Sequence, residues 1–350
     1  MSLFHSRLTV FGILILIQLS LLKCCPAFLH SSIVKKTVPR IGLNSGLLKA
    51  SAEGDLDFNG IVEVERTYSD DNGENTTTKH DIKYHVHNRI RLSSLQAAPI
   101  LVLHGGPGIP SDYLHPLTKV VPYRSIVFYD QLGCGRSPGP LSPKAYSLER
   151  CVDDLELVIK KVGLRRFHLY GQSFGGILAF EYMKRVAEKM KISDDDPECL
   201  SVILSSSPCD VEQVESVADS LISDLLKIDD DSSTVMERFR TKHQCQTEEM
   251  PKPLSDAYER AGEPGIWRGT KSIEGWKAVK PKDGSKRMPS CMILRGENDF
   301  VTNECIKGWK DAFNHKFLRE KVLDGCSHHG LLENGIMYGE IIDSYFAEYD

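Results

Sequence analysis

From Ile61 to Tyr68 and again from Ile82 to Val86, apolar and polar side chains alternate with a period of two. That period places one face of a strand on a core and the other in water. The turn-rich residues SDDNGEN between the two runs predict an antiparallel hairpin. Further on the pattern changes. Pro99 to Leu103 (PILVL) and Ile126 to Tyr129 (IVFY) are short unbroken apolar runs, the signature of strands buried on both faces. Leu148, Val152, Leu155, Ile159 and Val162 then recur at helical spacing, Phe167, Leu169 and Tyr170 form the next strand, and Ile177 to Val186 is helical again. Leu200 to Leu204 adds another strand. Strands alternating with helices predict an α/β fold, a mostly parallel sheet flanked by helices.

The alternation stops at Cys209. From there to Met288 the sequence is polar and helical, with Val217 to Ile228 as its clearest amphipathic stretch and Pro251, Pro253 and Pro264 as breakers. An inserted helical cap over 209–288 is expected, dividing the core into a first part, 53–208, and a second, 289–350. Strands at Cys291 to Leu294 and Phe317 to Leu323 and a helix from Leu331 to about Ala347 complete that second part.

The N-terminal segment is of another kind. Leu8 to Leu22 is apolar and flanked by Arg7 and Lys23, but its 15 residues fall short of the roughly 20 that cross a bilayer as a helix. It reads as a signal-peptide core, with Cys25-Pro26-Ala27 as the cleavage site and residues 1–27 removed. Residues 28–52 carry Lys35, Lys36, Arg40 and Lys49 and no acid, a transit-like or linker composition. The two segments together resemble the two-part plastid address of algae with secondary plastids; a secreted protein with a basic linker has almost the same sequence. Entry into the secretory pathway is expected either way, with no stable membrane span once the leader is gone.

Without residues 1–52 the chain carries 37 basic and 48 acidic side chains, a net charge of −11, which disfavours nucleic acid as a partner. Apolar content of 41% and a mean hydropathy of −0.25 fit a soluble globular body. The acidic runs 194–196 and 229–231 read as solvated loops, since no calcium-loop spacing follows them. His85 and His87 share one face of a strand, but no third ligand is evident in sequence, so they read as a solvated face rather than a metal pair. Ten cysteines, two of them in the leader, show no CxxC and no Cys/His zinc pattern. Disulfides, and glycosylation at Asn75, remain open for a secreted product. No metal and no cofactor are expected.

The candidate chemistry lies in FHLYGQSFGGILAF, residues 167–180. Ser173 sits between a strand and a helix with Gly171 and Gly175 around it, which reads as a nucleophile elbow, GxSxG. A serine hydroxyl is a poor nucleophile at neutral pH and needs an imidazole, itself oriented by an acid. The strand at Cys291 to Leu294 runs into Arg295-Gly296-Glu297-Asn298-Asp299, and the strand at Phe317 to Leu323 runs into Asp324-Gly325-Cys326-Ser327-His328-His329. Asp299 is the first choice for the acid with Glu297 as alternative, and His328 for the base with His329 as alternative. Acyl transfer also needs N–H donors for the developing oxyanion. Phe174, directly after the serine, and Gly106, in His104-Gly105-Gly106-Pro107-Gly108, are the candidates.

The set HGGPG, DQLGCGRS, GQSFGG, GENDF and GCSHHG resembles the prolyl iminopeptidase family of α/β hydrolases, including the archaeal tricorn-interacting aminopeptidase, over residues 60 to 350. The resemblance implies an α/β-hydrolase fold with a cap at 209–288 and a serine aminopeptidase releasing N-terminal residues, often proline, from short peptides. It implies Ser173, Asp299 and His328 as catalytic residues, Gly106 and Phe174 as the oxyanion hole, and Asp130 to Ser137 as a mainly structural loop. Family aminopeptidases hold the substrate ammonium with carboxylates, and Glu263 is the best match here; Trp267 and Trp276 are candidates for an apolar pocket. In some members a second acid follows the catalytic aspartate, whereas this chain has Phe300, which leaves an amino-acid amidase or carboxylesterase as an alternative. A non-catalytic binding protein on the same fold is the remote one. N-terminal sequencing of the native protein is expected to start at Phe28 or further on; a start at Met1 would contradict the leader assignment.

Overall fold

The computed structural model describes residues 57–69, 73–191, 193, 195–261, 272–282, 288–313 and 317–350. The leader, the basic stretch to residue 52, Glu263 and Trp267 lie outside the described residues. Eight described strands form one sheet: β1 (Phe58–Ser69), β2 (Asn75–His87), β3 (Ile100–Leu103), β4 (Ile126–Tyr129), β5 (Arg166–Gln172), β6 (Glu198–Ser205), β7 (Ser290–Gly296) and β8 (Leu318–Leu323). Their order is β1-β2-β4-β3-β5-β6-β7-β8. β1 pairs with β2 and β2 with β4 antiparallel, and every later pairing is parallel. The mostly parallel sheet expected from the alternation is therefore present.

The hairpin is longer than its apolar pattern. β1 and β2 pair from Phe58 opposite Val86 out to Ser69 opposite Asn75. Beyond the buried part, cross-strand polar pairs continue it: Thr67 with Thr77 (2.9 Å) and Ser69 with Asn75 (3.1 Å). Such pairs and the ladder hydrogen bonds extend a hairpin into water where no hydrophobic period marks it.

The helices are α1 (Leu148–Val162), α2 (Phe174–Glu188), α3 (Val211–Ile228), α4 (Val235–Phe239), α5 (Lys252–Ala261) and α6 (Gly335–Ala347). Ser147 caps α1 by accepting from the Arg150 amide, and Gly163 closes it at φ 79°. Alternate residues of the central strands serve opposite faces of the sheet. Leu101, Leu103, Val127, Leu169 and Val202 pack with α1 and α2, while Ile100, Val102, Phe128, Tyr170 and Ile203 pack with Tyr338, Ile342 and Phe346 of α6. Helices α3 to α5 occupy the interval between β6 and β7, where the cap is expected. α6 begins at Gly335 rather than Leu331, because Gly330–Glu333 forms a separate turn and the Asn334 side chain accepts from the Met337 amide (3.4 Å). Among the described residues no helix is long and apolar enough to cross a membrane. The eight described cysteines are free thiols, seven of them buried.

One junction fixes the rest. At the end of β5, Ser173 turns the chain into α2 with φ 54° and ψ −120°, backbone angles that an L-residue holds only under strain. The Ser173 amide donates to the Ser205 carbonyl on β6 (2.8 Å). A side chain on Gly175 would collide with the Leu103 carbonyl at the end of β3, and one on Gly171 with Gly175 itself. Glycine at these positions lets α2 approach the sheet closely enough to impose the turn.

On the α6 side, buried Arg124 donates to both carboxylate oxygens of Asp350 (2.8 and 2.7 Å) and to Asp343 (2.9 Å). Asp350 also accepts from the Ala98 amide (2.8 Å) and lies 3.1 Å from His168 Nε2. Burial alone would raise the Asp350 carboxyl, but Arg124, Ala98 and His168 outweigh it and draw it down to about 2.

Two stability measurements follow from these contacts. Ser173→Gly is expected to unfold at higher urea, by up to about 1 kcal/mol, because glycine relieves a strain of order 1–3 kcal/mol and returns part of it as chain entropy. Ser173→Ala keeps the strain and should show no such gain; an equal gain in both would contradict the reading. Asp350→Asn is expected to cost about 2 kcal/mol near pH 7 by leaving Arg124 underpaired. A depressed carboxyl stabilises above its unfolded value and loses that effect as the acid form fills, so the variant and the parent should converge as the pH falls from about 4 to about 2.

Candidate active site

The structure places Gly106, Ser173, Phe174, Asp299 and His328 at the C-terminal ends of the parallel strands, on the loops or turns that follow β3, β5, β7 and β8. His328 Nδ1 lies 2.9 Å from Asp299 Oδ1, and both side chains are buried. The same Asp299 oxygen accepts from the Val301 amide (2.8 Å), which holds the carboxylate in place. A neutral imidazole that donates from Nδ1 leaves Nε2 as its basic nitrogen. Gln172, the residue before Ser173, places its Nε2 3.5 Å from the His328 carbonyl.

The alternatives are placed differently. Glu297 accepts from the Gly325 amide (3.0 Å), tying the two loops together on the exposed side. The His329 ring packs edge-on to Tyr113 and 3.4 Å from the Tyr258 hydroxyl, and its amide donates to the Gln244 carbonyl (3.1 Å). Burial, with His328 alongside, holds it neutral, well below the usual histidine range. Asp299 thus meets His328 and not His329.

The loop after β3 wraps the serine. Gly106 has φ 115°, which only glycine accepts without strain, and the peptide bond to Pro107 that follows is cis. The Gly105 amide donates to the Tyr113 hydroxyl (2.8 Å), which in turn donates to Gln172 Oε1 (2.6 Å). A Cβ on Gly105 would stand 3.1 Å from that of Ser173, so the loop lies directly against the elbow. Phe174 is the first residue of α2, where backbone amides have no acceptor within the helix.

Behind this loop, buried Asp130 accepts from the Ser111 amide and hydroxyl (2.9 and 2.7 Å) and from the Arg136 amide (2.9 Å). Burial works against its charge, but the hydrogen bonds from Ser111 and Arg136 hold the carboxyl below its usual range. The Gln131 amide donates to His104 Nε2 (2.9 Å), so the neutral ring carries its proton on Nδ1, which faces the Gly105 carbonyl (3.0 Å). The segment 130–137 therefore holds the HGGPG loop in position.

Tyr113 lies in no motif and Gln172 fills a variable place of GxSxG, so sequence reasoning passes over both; only the fold shows them bridging the Gly105 amide and the elbow. Phe300 is noticed in the sequence solely as a missing acid. In the structure its ring stacks on His328 with centroids 4.2 Å apart. Trp276 packs against Phe180 and donates to Glu181 (3.0 Å), a core position on the α2 side rather than a place beside Ser173. Sequence comparison cannot separate these two fates of a tryptophan.

With the geometry established, known proteins give it context. The family model of the alpha/beta hydrolase fold matches residues 98–335. The proline iminopeptidase of Lactobacillus delbrueckii subsp. bulgaricus is 28% identical over 291 residues, covering 75% of this chain and 94% of that one. The proline iminopeptidase of Thermoplasma volcanium is 27% identical over 280 residues, covering 74% and 92%. Among solved structures, the proline iminopeptidase of Mycobacterium smegmatis superposes with a TM-score of 0.62 at 21% identity, covering 82% of this chain and 98% of that one, a likeness of fold. The chain belongs to the α/β-hydrolase fold family, on the branch that holds the proline iminopeptidases, and is a hydrolase.

Proposed function

We propose that this chain is a serine aminopeptidase that releases N-terminal residues, often proline, from short peptides through an acyl-enzyme. The observation that carries the reading is the buried Asp299–His328 pair at 2.9 Å, together with a serine held at a strained strand-to-helix turn. Related proline iminopeptidases over three quarters of the chain support the leaving group.

In this mechanism the Ser173 hydroxyl attacks the carbonyl carbon of the substrate's first residue while its proton passes to His328 Nε2. Asp299 accepts from Nδ1, keeps the ring in the tautomer that needs that proton, and stabilises the imidazolium that forms. The carbonyl oxygen, now negative, is met by the amides of Phe174 and Gly106. Since the Tyr113 hydroxyl engages the Gly105 amide, Gly106 is the glycine of its loop assigned to the oxyanion. The imidazolium then gives its proton to the departing amine, the C–N bond breaks, and water hydrolyses the acyl-enzyme with His328 acting again as base. Glu263 is assigned to the substrate ammonium and Trp267 to its side chain on the family resemblance; no cofactor enters any step.

A second reading has a specific basis. Phe300 occupies the position of the second acid of some relatives and lies flat against His328. An apolar ring there does not pair with an ammonium, so an amino-acid amidase or carboxylesterase using the same three residues is the alternative. A panel of aminoacyl naphthylamides, their N-acylated forms and short acyl esters separates the two. The aminopeptidase reading expects turnover that requires a free α-amine and is lost in Ser173→Ala, with Asp299→Asn reduced by about 10⁴. Esters turned over regardless of the amine would establish the alternative instead.

A further inference from the structure

Sequence offers His85 and His87 no third ligand, but the hairpin supplies one. β1 and β2 pair with Phe58 opposite Val86, and this register carries Asp57 to His87. Asp57 Oδ1 lies 2.8 Å from His87 Nδ1, and Asp57 Oδ2 lies 3.6 Å from His85 Nε2. All three donor atoms fall within 4.8 Å of one another, the one such group of three among the described residues. Ligand bonds of about 2.0–2.2 Å in a tetrahedral zinc site put neighbouring donors about 3.3 Å apart, between the two measured separations.

The surroundings favour a cation. His85 Nδ1 meets the Asn59 side-chain oxygen at 2.9 Å. That oxygen can only accept, so the proton is on Nδ1 and a neutral ring turns the bare Nε2 toward the Asp57 carboxylate. Two acceptors then face each other across 3.6 Å. The contact to Asn59 is also the outer-shell hydrogen bond that orients metal-bound histidines. The ring itself stacks with His115 and Phe128. The Asn88 amide, in the left-handed region, donates to Asp57 Oδ1 (3.1 Å) and holds the carboxylate from the other side.

We propose that Asp57, His85 and His87 bind one divalent transition-metal ion, best matched by Zn²⁺, through the Asp57 carboxylate, His85 Nε2 and His87 Nδ1, with water as the fourth ligand. Two imidazoles and a carboxylate are a zinc donor set rather than one for magnesium or calcium. His87 pairs with Ile126, the first residue of β4, whereas the active-site loops leave the opposite ends of the strands. The ion therefore fastens the start of the edge strand to its neighbour and takes no part in the reaction.

The test is calorimetric titration of the tag-free full chain, stripped with chelator, with Zn²⁺ at neutral pH, alongside metal content by mass spectrometry and melting curves. One Zn²⁺ per chain is expected, with a rise in melting temperature and unchanged hydrolysis of a naphthylamide. Asp57→Asn and His87→Ala should each weaken binding by about 10-fold or more, and the His85→Ala/His87→Ala double variant should abolish it together with the thermal shift. Asp57 precedes the strand, so its variant reports on the site even if a strand substitution perturbs folding. No Zn²⁺ binding by the parent, or equal binding by Asp57→Asn or by the double variant, would overturn the proposal.

Discussion

The backbone of Ser173 is held where an unstrained chain would not leave it, at φ 54° between β5 and α2, and most of the structure can be read as what keeps it there. The amide is anchored to β6 through Ser205, and α2 lies so close to β3 that a side chain at Gly175 would strike the Leu103 carbonyl. Strain of this kind persists only where surrounding contacts over-determine it. Here the contacts are a parallel sheet buried on both faces and two packed layers of helix, which together can absorb a cost of order 1–3 kcal/mol. The same turn sets Ser173 directly against the loop after β3, where a Cβ on Gly105 would stand 3.1 Å from that of Ser173.

Around that turn the polar groups are arranged in two tiers. Asp299 and His328 form the inner one, while Tyr113, Gln172, Asp130 and His104 form an outer one that touches backbone. The outer groups occupy the Gly105 and Gln131 amides, and the proposed mechanism assigns the developing charge to amides they leave. Preorganised donors of that kind lose no energy to reorganisation during the reaction. Phe300 changes the character of the inner tier: an aromatic face against the imidazole excludes water on one side and removes a place where a carboxylate could hold an amine.

Much of this was legible in the sequence because parallel strands buried on both faces leave unbroken apolar runs, such as PILVL and IVFY, and because acid and histidine each follow a strand directly. The predicted order of strands and helices matches the sheet for the same reason. What stayed hidden depends on partners distant in sequence. The polar ends of β1 and β2 are held by cross-strand pairs and not by burial, so their length has no hydrophobic signature. The Asp57 side chain meets His85 and His87 only through strand register, and a turn residue such as Tyr113 gains its role from where the fold delivers its hydroxyl. Partners, not burial, distinguish His328 from His329, two identical letters side by side: both are buried, but one faces Asp299 and the other is packed among tyrosines.

The account depends most directly on Ser173 being made nucleophilic by His328. Reaction of the protein with a fluorophosphonate, read by intact mass and peptide mapping, measures this without any assumption about substrate. The account predicts a single stoichiometric adduct on Ser173 whose formation slows by orders of magnitude in His328→Ala although that variant remains folded. No adduct on Ser173, or labelling at an undiminished rate without the imidazole, would contradict it.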